Sequence, residues 1–199
     1  MKKDRAATEE KIYESFLSLL EENGPQAVGI NAIAKKAGVS KELIYRYFGG
    51  LEGLLLQLAK KGDFFKSMLA LHDKDLATVE DLKEFAMAGT KELRENKLTQ
   101  EILRWQLLEN NEATRDLFKY SNKEMGKIFA ISDKNSSLNH AFQLMIGGYV
   151  YFTLLSKFNK KFITTDLTSQ ESWEKFDKAI EKTIDLFNQE PRRKSTDAN

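Results

Sequence analysis

The spacing of apolar side chains predicts helices along almost the whole chain, and the most informative stretch lies near its start. Ile30, Ile33, Ala34 and Ala37 recur at three- and four-residue steps, which gives one short helix an apolar face. Gly38 ends it, because glycine tolerates the left-handed backbone that commonly closes a helix. Val39 then points inward, and Ser40 is suited to cap a second helix from Lys41. On that helix Ile44 and Phe48 lie four apart and share the buried side, while Lys41, Glu42, Leu43, Tyr45, Arg46 and Tyr47 fall on the exposed side. Two short helices around a glycine turn form a helix-turn-helix, a unit whose second helix enters the DNA major groove.

The same periodicity organises the flanks. Ile12, Phe16, Leu19 and Leu20, with Tyr13 and Leu17 beside them, predict a first helix from about Asp4 to Glu22, stopped by Asn23-Gly24-Pro25. Gly49-Gly50 breaks the chain again, and Leu51-Glu52 opens a fourth helix carrying Leu54, Leu55 and Leu58, extended by Phe64, Phe65, Met68 and Leu69. Further helices follow over 76–95, 99–108, 111–131 and 138–158, and a last one, capped by Thr168 or Ser169, reaches about Asn188. The expected fold is all-α. A helix-turn-helix domain occupies 1–50, a second helical domain 51–190, and a flexible tail 191–199.

Composition narrows the chemistry. The 199 residues suffice for one or two domains with a proper core, and 41% hydrophobic with 31% charged residues is ordinary for a globular protein. Cysteine is absent, which excludes disulfides, thiolate metal sites and cysteine nucleophiles. The start, MKKDRAATEEK, has no apolar signal-peptide core, so a cytoplasmic location is expected. His72 and His140 are the only histidines, and neither has a catalytic or metal-ligand constellation around it. No phosphate loop or dinucleotide fingerprint occurs. The expectation is a non-enzyme with no cofactor and no metal.

Charge is placed rather than spread. Between Asn31 and Gly50 stand Lys35, Lys36, Lys41 and Arg46 against Glu42 alone, a balance of +3 in a chain whose total is +1. Phosphate binding needs such a local excess. Lys41 and Arg46 can donate to guanine edges, Glu42 can accept from cytosine, and Leu43 can pack on a thymine methyl. Glu42 has a plain alternative, an ion pair with Lys41 or Arg46. Lys2, Lys3 and Arg5 are open to two readings, phosphate contact or a charged, disordered start.

The run GVSKELIYRYF resembles the helix-turn-helix of TetR-family transcriptional regulators, in which a glycine-valine-serine turn precedes a helix ending in Leu-Tyr-x-His/Tyr-Phe. The resemblance covers about the first fifty-five residues. It implies DNA contacts from Asn31 and from Tyr45 and Tyr47, the two tyrosines on phosphates, which join Ser40, Lys41, Glu42, Leu43 and Arg46 as the candidate DNA-binding residues. It also implies a fourth helix that carries a ligand signal to the DNA-binding domain. Two positions depart from the pattern: Leu51 stands where the family often has a phosphate-contacting lysine, and Gly29 where a threonine often caps the second helix.

Ala141 to Leu155, AFQLMIGGYVYFTLL, is too short and too interrupted by Gln143 to span a membrane, and its apolar surface calls for burial on more than one side. Gly147 and Gly148 permit close helix approach, and Trp173, Phe176, Ile180 and Ile184 form a matching stripe. Two helices from each of two copies would then make a four-helix homodimer interface, as the resemblance also implies. A dimer would read a palindromic operator in double-stranded DNA. Candidate contacts for a small, hydrophobic effector are Phe65, Met68, Trp105, Gln106, Phe118, Phe142, Met145 and Tyr149, any one of which also suits a core. The expected function is a dimeric DNA-binding regulator, a repressor released by that ligand. The alternative is a helical interaction or scaffold protein whose DNA-binding domain is weakened at Leu51 and Gly29.

Overall fold

The computed structural model describes residues 2–61, 78–129 and 137–189. Among them the chain is helical apart from one short hairpin. The helices are α1 (Lys2–Asn23), α2 (Ile30–Ala37), α3 (Lys41–Phe48), α4 (Leu51–Lys61), α5 (Val79–Glu95), α6 (Lys97–Leu108), α7 (Glu112–Phe129), α8 (Ser137–Ser156) and α9 (Gln170–Gln189). A 3-10 turn, Pro25–Ala27, lies between α1 and α2. Phe65, Met68, the proposed extension of the fourth helix and the 191–199 tail fall outside the described residues.

The chain divides into two compact units, Met1–Ala70 with Lys91–Lys127, and Leu71–Thr90 with Ile128–Asn199. In the first, Ile12, Phe16 and Leu20 of α1 meet Ile33 and Ala37 of α2, Ile44 of α3, and Leu54, Leu55 and Leu58 of α4 in one buried cluster. Ile102 and Trp105 of α6 complete it. The Phe16 and Trp105 rings lie 6.4 Å apart. Each large side chain sealed here contributes about 1.5–3 kcal/mol relative to exposure, so α3 is held by its inward face rather than by its intrinsic helicity. Ion pairs fasten the rim: Lys36 on Glu22 at 2.8 Å and Lys61 on Glu10 at 3.2 Å. The Lys61 ammonium also sits 4.0 Å above the Tyr13 ring.

The corner between α5 and α6 is built from polar groups. The Asn96 side chain accepts from the Thr99 amide at 3.0 Å, which caps α6, and donates to Glu92 at 2.6 Å. The Thr99 hydroxyl donates to the same carboxylate at 3.0 Å, and the Gln100 amide reaches the Leu93 and Arg94 carbonyls.

In the second unit α8 and α9 pack together through aromatic rings. Tyr149 lies 5.3 Å from Trp173, and Phe152 stacks on Phe176 at 5.0 Å. The Tyr149 hydroxyl bonds Asp177 at 3.0 Å, and the Trp173 indole donates to the Leu167 carbonyl at 3.0 Å. Between the helices stand β1 (Lys161–Phe162) and β2 (Thr165–Asp166), antiparallel with Lys161 opposite Asp166 and Phe162 opposite Thr165. Periodicity gave no sign of this hairpin, because strands of two residues are too short to show alternation. Among the described residues no helix is long and apolar enough to cross a membrane.

Candidate nucleic-acid interface

The turn between α2 and α3 follows from one glycine. Gly38 adopts φ 62°, ψ 39°, and its amide reaches the Ala34 and Lys35 carbonyls. The Val39 amide bonds Ala34 O at 3.0 Å, which completes a left-handed helix end, and the Val39 side chain packs on the core. Ser40 is extended in front of α3, at φ −78° and ψ 153°, but its hydroxyl caps no amide. The Glu42 carboxyl is influenced instead by the Ser40 hydroxyl, by its own backbone amide and, more weakly, by Lys41. Those groups hold its pKa below the ordinary glutamate value of 4.5. Glu42 is therefore engaged in starting the helix, a third role beside the base contact and the lysine or arginine pair expected of it.

α3 buries Ile44, packs Tyr47 and Phe48 partly against the core, and presents its other polar side chains outward. Ser40, Lys41, Glu42, Tyr45 and Arg46 are exposed, Tyr45 by 57%, while Leu43 and Tyr47 are half-buried. Asn31, at the start of α2, is exposed as well. Tyr47 is a platform for two cations: the Arg5 guanidinium lies 5.1 Å and the Arg46 guanidinium 5.8 Å from its ring centroid. Arg5, left open by the sequence, is thereby placed beside the recognition helix. Glu9 holds it at 2.7 Å and raises its pKa.

Glycines set the end of α3 and its join to α4. Gly49, at φ 75°, returns its amide to Tyr45 O at 2.8 Å, and Gly50, at φ 112°, has room only beside the Tyr45 ring. A Cβ at position 53 would lie 1.5 Å from the Phe48 carbonyl oxygen, so only glycine fits where α4 crosses the end of α3. Leu51, by contrast, packs partly against the core. Gly29 precedes α2 in extended backbone and offers its carbonyl to the Ile33 amide, with no side-chain cap.

The other candidate residues are distributed between the units. Trp105 is buried in the first unit and Gln106 half-buried, and among the described residues neither Trp105 Nε1 nor Gln106 Nε2 has a hydrogen-bond partner. Phe118 is 56% exposed. In the second unit Phe142 and Tyr149 are buried and Met145 is half-buried. Trp173, Ile180 and Ile184 are buried within the chain and Phe176 is half-buried, whereas Gly147 is exposed and Gly148 half-buried, both with open space at the Cβ position. What α8 and α9 turn outward is Leu144, Tyr151 and Leu186. Among the described residues no group of three or more acidic or histidine side chains could hold a metal ion.

A glycine-turned helix pair, its second helix presenting cations and tyrosines, defines a helix-turn-helix protein, with further helices following in the chain. Residues 12–58 match the family model described as bacterial regulatory proteins, tetR family. No curated protein matches the chain. Solved TetR-family structures share the fold at low identity. The fatty acid degradation regulator FadR of Bacillus halodurans is 19% identical, with 92% of this chain and 99% of that one covered at a TM-score of 0.59. The Thermus thermophilus FadR repressor, solved with lauroyl-CoA, is 17% identical, covering 96% and 98% at 0.54. NalD of Pseudomonas aeruginosa, secondary repressor of a multidrug efflux pump, is 13% identical, covering 92% and 96% at 0.59.

Proposed function

We propose that this chain is a dimeric transcriptional repressor that reads a palindromic operator through α3 and is released by a small hydrophobic ligand. The observation that carries the reading is α3 itself, an eight-residue helix fixed by Ile44 and by two left-handed glycines, with Lys41, Tyr45 and Arg46 free to face a groove. Lys41 and Arg46 read base edges, and Tyr45, Tyr47 and Asn31 fix the register on phosphates. Arg5, on the Tyr47 ring, supplies a phosphate contact that Leu51 does not.

Counterion release gives the direct test. Binding to mixed-sequence duplex DNA, followed by fluorescence anisotropy, falls as salt rises, and Arg5→Ala, which removes the proposed phosphate contact, reduces the slope of log K against log salt by about one. Salt-independent binding, or none at low salt, contradicts the reading.

The ligand half rests on the two buried donors of α6. An unpaired buried donor costs about 1–3 kcal/mol, and an acceptor oxygen on an otherwise apolar ligand would relieve that cost. The chain-length kinship to a regulator solved with lauroyl-CoA is compatible with an acyl ligand. Gln106→Leu is expected to raise the melting temperature of the free protein and to remove its stabilisation by added medium-chain acyl compounds. If the variant is stabilised as much as the parent, Gln106 does not hold the ligand.

The dimer half rests on α8, which buries Phe142 and Tyr149 yet leaves Leu144, Gly147 and Tyr151 outward. A helix apolar on both sides calls for a second cover, and an identical face on another copy provides it.

A further inference from the structure

We propose that Arg104, ion-paired with Glu101 on α6, is a positioning residue for sequence reading: it fixes the corner between α1 and α2 and, through α2, the seat of α3. The inference rests on the operator reading above and adds to it a residue outside the helix-turn-helix.

The corner is a close fit. α1 ends at Gly24, whose amide returns to Leu20 O at 2.9 Å, and the Pro25–Ala27 turn leads from it towards α2. Gly24 is buried. The Arg104 guanidinium takes the space that a Cβ on Gly24 would fill, and Glu101 Oε2 lies 3.0 Å from the same point. Both charged side chains are largely withdrawn from water, Glu101 to 6% and Arg104 to 20% exposure.

α6 meets α1 at a second point on the same side. Glu101, Arg104 and Trp105 stand three and four residues apart in sequence, or neighbours on one helix face. The Trp105 ring lies 6.4 Å from that of Phe16, in the middle of α1. One face of α6 therefore holds α1 at its middle by apolar contact and at its end by charge. Apolar contact fixes depth but permits sliding, whereas a planar guanidinium against a carboxylate suits one arrangement.

Stability alone does not account for the pair. Taking two charges out of water offsets much of their attraction, and well-packed apolar replacements are often as stable. Arg104 Nε, moreover, is buried with no hydrogen-bond partner among the described residues. Placement is what such a pair supplies, and base reading depends on placement. A hydrogen bond to a base edge needs its atoms about 2.7–3.2 Å apart, whereas attraction to phosphates extends over a screening length of about 10 Å at 0.1 M salt. A displaced α3 thus loses sequence preference before it loses affinity for DNA as such.

Anisotropy titrations of the full chain test this, comparing the palindrome that the parent enriches from random duplexes with a mixed-sequence duplex. Glu101→Met/Arg104→Met is expected to melt no lower than the parent and to bind the palindrome about tenfold more weakly or worse. Its affinity for the mixed-sequence duplex is expected to stay within about twofold of the parent's, at the same salt slope. Should the double variant not fold, Arg104→Lys takes its place, since it keeps the charge and removes the planar fork. Palindrome binding within about twofold of the parent's, in the folded variant, overturns the proposal. A reduced salt slope also overturns it, because Arg104 would then touch a phosphate itself. Failure of both variants to fold assigns the pair to the fold and overturns it too. A parent chain that enriches no palindrome overturns the operator reading as well, whereas an enriching parent with unaffected variants sinks this inference alone.

Discussion

Glu42 illustrates what a single side chain does at this interface. Its position on the exposed side of α3 invites a base contact, yet its carboxyl is influenced by the Ser40 hydroxyl and its own amide. Both are groups at the positive end of a helix, where an anion is favoured. Because its folded pKa is lowered, the stability it contributes is present above the unfolded value and is lost as the pH falls through the folded one. Glu42→Gln is therefore expected to flatten the acid limb of the stability–pH profile, below about pH 4.5, and to change operator preference little. Thermal melts across the acid range check the first part. A profile unchanged by the substitution would mean that the carboxylate is not engaged. The sequence named Glu42 correctly as an exposed residue but could not choose among its partners, because rotamer choice is settled by neighbouring donors rather than by spacing.

At the scale of elements, the helix-turn-helix was almost wholly legible. Its helices end at glycines whose left-handed backbone the sequence announces, and the inward residues Ile33, Ala34, Ala37 and Ile44 are buried as their spacing requires. Ser40 stands at the N-cap of α3 as its residue type suggests, though its hydroxyl bonds no amide of the helix. The cation pair on Tyr47 was invisible, because it joins α3 to residue 5 through the tertiary fold. So was the role of Gly53, which looks like a weak point in a leucine-rich helix and is a contact with the Phe48 carbonyl. Gly53→Ala is expected to destabilise the chain by about 1–3 kcal/mol, the usual cost of overpacking, and to weaken DNA binding by shifting α3 against α4. Urea unfolding measures the first effect. A gain in stability, as helix propensity alone would give, would contradict the close approach.

On the scale of the whole molecule, the stripe Trp173, Phe176, Ile180 and Ile184 shows why periodicity reveals an apolar face and not its partner. The spacing fits an interface with a second copy as well as it fits the chain's own core. The structure buries Trp173, Ile180 and Ile184 within the chain and leaves Leu144, Tyr151 and Leu186 outside. Trp105 was likewise named for a ligand and lies 6.4 Å from Phe16 in the core of the DNA-binding unit. The two roles are compatible, since its ring packs while its indole donor stays unpaired among the described residues. In the function proposed above, a ligand acceptor received there would act on the same helix that packs against α1.

Selection of bound sequences from random duplex DNA, made in parallel with Lys41→Ala and Tyr45→Ala, tests the central claim most directly. The account predicts a palindrome with half-sites about 34–36 Å apart or a multiple of that, enriched by the parent chain and lost in both variants. A folded parent chain that enriches no sequence at low salt would contradict it.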